Sequence, residues 1–157
     1  MDTSRFLRGM AAGFGATVIL SIFMLIKAAA DIVPEANAIQ ALVKVSTIWL
    51  GTPLLPWIGW LEHFFIGTVL WGIAFAIVEP VLPGPGWLRG LIFSTGAWIV
   101  MMVTLLPAAG AGFFGAYLGW GTPVSALILH WIWGVSIGVI YESPPLHQLH
   151  FGHPART

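Results

Sequence analysis

Between Arg89 and Glu142 the chain carries no Asp, Glu, Lys or Arg. An uncharged run of that length cannot keep its surface solvated in water. In hydrocarbon it is what a spanning helix requires, because the helix satisfies its own backbone and needs apolar side chains around it. Hydrophobic residues make up 58% of the 157 residues, and charged residues make up 8% where a soluble domain carries about 25%. Mean hydropathy is +0.91. The chain is therefore read as an integral membrane protein.

The remaining composition excludes several function classes. Formal net charge is zero, and no basic stripe marks a nucleic-acid site. Cysteine is absent, which removes disulfides, thiolate metal sites and cysteine redox chemistry and leaves histidine as the main soft ligand. No nucleophile–base set, phosphate loop or paired carboxylates can be read, so an enzyme acting alone is not expected.

Apolar runs and breakers predict four spans, at about 6–30, 56–78, 87–106 and 123–141. Pro56 and Pro123 suit a first helical position, and Thr122 could cap the fourth helix. Glu79-Pro80 and the Pro83-Gly84-Pro85-Gly86 cluster stop the second span. Pro107, with glycines at 110, 112 and 115, ends the third. Arg5 and Arg8 before an apolar run, with Ala28-Ala29-Ala30 after it, resemble a signal peptide. The run exceeds a usual signal core, so it is read as a span. Residues 1–141 then form one transmembrane domain and residues 142–157 a cytoplasmic tail. From Asn37 to Leu50, apolar Ile39, Leu42, Val43, Trp49 and Leu50 alternate at helical spacing with Gln40, Lys44 and Thr47. That pattern predicts an amphipathic helix lying in the interface, with Asn37 as its cap.

The chain also repeats a phrase, Pro56-x6-His63-x3-Gly67 and then Pro123-x6-His130-x3-Gly134. Leu7-Arg8-Gly9 is echoed by Leu88-Arg89-Gly90, and Gly15-Ala16 by Gly96-Ala97. The fold class expected is thus an all-α membrane bundle of four helices, built as a parallel two-hairpin repeat about an axis along the membrane normal. The Lys and Arg balance puts both termini inside: Arg5, Arg8, Arg89 and Arg156 lie there, against Lys27 and Lys44 outside. His63 and His130 then share a depth, each ~10 Å past its proline at 1.5 Å per residue. Trp49, Trp57, Trp60 and Trp120 would form an outer aromatic belt, and Trp87 part of an inner one.

Two readings of the histidines stand side by side. Gly59 and Gly67 flank His63, while Ala126 and Gly134 flank His130, each four residues away on one helical stripe. A bare helix surface around an axial ligand is what haem b or another tetrapyrrole would ask for. Small-x3-small stripes are equally the ordinary means of close packing in lipid, with histidine hydrogen-bonding across the seam. Two imidazoles alone do not complete a metal site. Glu62 and Lys27 could pair or serve a proton or ion path beside His63, or each could reach the interface separately. Arg8 and Arg89 read as anchors, and Met101 and Met102 as packing or lipid contacts. His147, His150 and His153 recur in a proline-flanked tail that offers no scaffold for metal capture.

Leu7-Arg8-Gly9 with its glycine-rich helix, His63-x3-Gly67 before Leu70-Trp71-Gly72, Pro107-Ala108-Ala109-Gly110-Ala111-Gly112, and Leu129-His130 with Gly134 resemble an uncharacterised family of small bacterial four-helix membrane proteins. The resemblance spans nearly everything up to Tyr141, excludes the tail, and implies a fold and a bacterial inner-membrane location but no activity. The expected role is a small non-catalytic subunit of a larger membrane complex, one concerned with electron transfer, and tetrapyrrole binding by His63 and His130 is its sharper form. Its partners would be the lipid bilayer and other membrane subunits, or copies of itself, met through glycine-rich faces. The rival is a small proton or cation transporter or channel using Glu62, His63 and His130.

Overall fold

The structure, a computed structural model, describes residues 3–143 and is all-helical over them. Helix α1 is Thr3–Ala29, α2 Ala38–Leu50, α3 Pro56–Phe65 and α4 Trp71–Val78. Helix α5 is Gly86–Val103, α6 Leu105–Ala108 and α7 Gly121–Glu142. Four continuous helical spans are long and apolar enough to cross a membrane: Thr3–Ala29, Pro56–Val81, Gly86–Ala108 and Gly121–Glu142. The 22-residue fourth span extends about 33 Å, enough for a ~30 Å hydrocarbon core. The chain is a multi-pass membrane protein.

Most helix ends follow the local chemistry of the sequence. The Asn37 side chain accepts the Gln40 backbone N–H at 3.1 Å, and Gly51, at φ 67°, closes α2 in the left-handed region where only glycine is unstrained. Pro56 stands in the first turn of α3, where its missing N–H is no loss. The fourth span departs from expectation. Helix α7 opens at Gly121, and Thr122 makes no capping bond. Its hydroxyl is buried without a partner among the described residues, and Pro123 sits inside the first turn. The third span breaks at Thr104, at φ −120° and ψ −68°, between α5 and α6. Pro107 explains the break: it cannot donate to the Val103 carbonyl, and its ring would strike that carbonyl in a continued helix.

The second span packs on α1, α1 on α7, and α7 on α5, while α4 and α5 meet only lightly. Both hairpin crossings bring backbone against backbone. In the first, a Cβ at Gly13 would lie 2.7 Å from the Gly67 carbonyl oxygen, and one at Gly72 would lie 2.6 Å from that of Gly9. In the second, a Cβ at Gly134 would lie 2.5 Å from the Gly90 carbonyl oxygen and 2.6 Å from Ser94 Cβ. Gly138 rides on Gly86 in the same way. Small residues thus bring the helices close enough for dispersion contacts that lipid cannot replace.

The two crossings differ by one residue. Gly67 and Gly72 are five apart, and the chain between them forms a π turn, Ile66–Leu70. Gly134 and Gly138 are four apart, in regular α-helix. A π turn absorbs one extra residue, so both glycines of the second span still reach the same face.

Toward the N-terminal end of α1 the bundle is solid. Ala12, Ala16, Phe75, Ala76, Trp133, Ile137 and Tyr141 form one buried cluster, and Phe75 stacks edge-on against Phe93 and Tyr141, with centroids 5.3 Å apart in each case. Arg8 lies over the Tyr141 ring at 4.2 Å and donates to its hydroxyl at 2.9 Å, while Arg5 donates to the Ala76 carbonyl at 2.6 Å. Arg89 pairs with Glu79 and stands 3.6 Å from Glu142. These charges tie the ends of all four spans together, so Arg8 and Arg89 are structural anchors. A second cluster, Ala41, Met102, Leu106 and Ala111, fills the opposite end beneath α2, with Ala126 against it.

Candidate functional site

His63 on the second span and His130 on the fourth are both half-buried, each in the half of its span nearer α2. His63 is placed by three neighbours. Its Nε2 lies 3.2 Å from Ser21 Oγ, and Trp60 and Phe64 stand edge-on to its ring at 5.7 and 5.6 Å. The Ser21 hydroxyl donates its one proton to the Thr17 carbonyl at 2.7 Å. With the proton placed there, the hydroxyl accepts from His63, which assigns His63 the Nε2–H tautomer with its lone pair on Nδ1.

His130 solves the same problem differently. Its Nδ1 lies 2.8 Å from the Ala126 carbonyl, which can only accept, so the proton is on Nδ1 and the lone pair on Nε2. The two histidines, matched in sequence, carry opposite tautomers. The facing helices differ at the matched positions. A stripe of Gly9, Gly13, Thr17 and Ser21 runs along α1, and the corresponding stripe on α5 is Gly90, Ser94, Trp98 and Met102. Where His63 meets a serine, the matched place holds a thioether, which is a poor partner.

The flanking small residues are used in packing. Gly59 faces α2, where a Cβ would lie 2.6 Å from Val43 Cγ2, and Gly67 faces the Thr17 side chain. Gly134 faces Gly90 and Ser94, and Ala126 packs on the Met102 cluster. The helix surface on each side of both histidines is covered by protein.

Lys27 and Glu62 do not meet. The Lys27 ammonium donates to the carbonyls of Val33 and Ala36 at 2.7 and 3.1 Å, pinning the α1–α2 loop where Val33 takes φ 46°. Glu62 Oε2 is buried without a hydrogen-bond partner among the described residues. No group of three or more His, Cys, Asp or Glu able to hold a metal occurs among the described residues. His147, His150 and His153 lie outside them.

Ser21 and Thr17 are the residues missed by sequence reasoning. Thr17 is fully buried and sits where three spans meet: it accepts the Trp133 indole N–H at 3.2 Å and faces Gly67. The signal was present as the four-residue spacing Gly9, Gly13, Thr17, Ser21, which places a polar pair on the glycine stripe.

A family of unknown function, DUF6789, fits residues 3–149. The chain belongs to that family. No curated protein and no solved structure matches it. DUF6789 membership agrees with the four-span architecture and carries no activity with it.

Proposed function

We propose that this DUF6789 chain is a small non-catalytic subunit of a larger membrane assembly, resident in a bacterial inner membrane with both termini inside. The observation that carries this reading is the second span, where Glu62 Oε2 and Thr68 Oγ1 are buried with no partner among the described residues. An unpaired carboxyl oxygen beside an outward apolar face is costly, and a turn of the half-exposed Glu62 side chain toward a polar group on a neighbouring polypeptide relieves it. The outward faces supply the rest of an interface, since Leu61, Phe65, Leu70 and Ile77 on the same span are all more than half exposed.

The rival reading, a proton or cation route through Glu62, His63 and His130, is opposed by the packing toward the N-terminal end. Trp133, Phe75, Ile137 and Tyr141 are each at most 4% exposed there, and they fill the way onward from the histidines. A tetrapyrrole fits poorly, because the surface it would lie on is occupied by Val43, Thr17, Ser94 and the Met102 cluster. An electron-transfer host is correspondingly less favoured than an assembly that uses the chain for its shape.

The test is crosslinking in native membranes, then mild-detergent purification, identification of attached chains and an absorbance spectrum. A stoichiometric membrane partner, lost on Glu62→Leu, is expected, with no Soret band. A chain recovered alone and uncrosslinked overturns the proposal; a Soret band restores the tetrapyrrole.

A further inference from the structure

A shallow groove lies between α2 and the start of the second span. Ile39 and Val43 form its floor, each 7% exposed, with Leu54 and Pro56 on one wall and Gln40 and Lys44 on the other. Its surface is almost wholly apolar apart from those two polar side chains. Lys44 is exposed, and no carboxylate lies within ion-pair distance of it among the described residues. The rim continues into Trp49, Leu50, Leu54 and Trp57, which are between 61% and 76% exposed. Such a collar of tryptophan and leucine belongs at the level of lipid headgroups.

We infer that this groove is a binding site for an anionic glycerophospholipid, its acyl chain laid along Ile39, Val43, Leu54 and Pro56 and its phosphate held by Lys44. The inference takes α2 to lie in the interface, and it is independent of the partner proposed above. Charge complementarity selects the occupant. An apolar trough with one unpaired cation at its mouth matches a molecule that is apolar along its length and anionic at one end. A protein helix would leave Lys44 needing a specific acid, while the bilayer supplies phosphate at that level throughout.

Native mass spectrometry of the full chain in mild detergent, with phosphatidylglycerol or phosphatidylethanolamine of matched acyl chains added, tests this. Retention of phosphatidylglycerol over phosphatidylethanolamine is expected. Lys44→Ala should weaken phosphatidylglycerol binding about fivefold, the factor for one cation near the surface, and weaken phosphatidylethanolamine less, because its own ammonium already offsets its phosphate. Lys44→Arg should retain the preference. Leu54→Glu, in an exposed loop outside any helix, should lose phosphatidylglycerol without loss of helix by circular dichroism. Equal binding of the two lipids by the unaltered chain overturns the inference, as do adducts indifferent to all three substitutions, which would be annular lipid.

Discussion

Gly67 and Thr17 give the sharpest test of how the bundle is held. A Cβ at Gly67 would meet Thr17 Oγ1 in hard overlap, with Thr17 Cβ and Cγ2 both at 3.2 Å, and no other residue is as near. Gly67→Ala should therefore overpack the seam, at a cost of about 1–3 kcal/mol less the roughly 0.5–1 kcal/mol that alanine gains over glycine in a helix. Thr17→Ala removes the clashing atoms and orphans the Trp133 indole N–H, which costs about 1–3 kcal/mol for a buried donor. In the double variant the alanine at 67 faces only the Cβ at position 17. The two losses should then fail to add, with a coupling of about 1–2 kcal/mol in favour of the double variant. Reversible unfolding of the four proteins in mixed micelles, followed by circular dichroism and tryptophan fluorescence, measures the cycle. Additivity within about 0.5 kcal/mol would refute the contact.

Gly96, with nothing within 4 Å of a Cβ built on it, should accept alanine with a gain of about 0.5–1 kcal/mol in the same assay, and a loss there would mean that its face is covered. Nitrogen-15 NMR of labelled histidines should find His63 protonated at Nε2 and His130 at Nδ1, and finding one tautomer at both sites would contradict the hydrogen bonds drawn for them. Ser21→Ala should leave the His63 N–H unsatisfied and destabilise the bundle by about 1–3 kcal/mol, whereas Met102→Ala should act through lost core volume, costing about 2–5 kcal/mol without altering the His130 tautomer. Deleting Val69 should turn the π turn into α-helix and restore four-residue glycine spacing, so it should cost less than deleting Val135 from the regular helix of α7; the reverse order would show that the π turn is not an absorbed extra residue.

Much of this was legible in the residues. The four spans follow from hydrophobic runs longer than a bilayer core and from proline and glycine at their ends, and these are local properties. The Asn37 cap was readable because capping needs only a side-chain oxygen three residues from a helical N–H. The choice between a bare face and a packed face around His63 and His130 was not readable. A glycine stripe looks the same along the chain whether a cofactor or a neighbouring helix lies on it, and only the partner helix decides. Ser21 was spaced to be found, yet its contact with His63 is a long-range event that no local pattern fixes.

The sequence by itself determined that the chain enters a bilayer and how many times it spans it, because burial in hydrocarbon acts along the chain. It did not determine the Gly121 start of the fourth span or the Thr104 break in the third, because the exact ends also answer to packing. Tertiary structure alone decided which face each stripe shows to which neighbour. It set Gly67 on Thr17 and Gly134 on Ser94, absorbed one residue in a π turn, and left the two matched histidines in opposite tautomers. The physical reason is that a side chain's partner depends on how helices cross, and the crossing is set by all the small residues of both helices acting together.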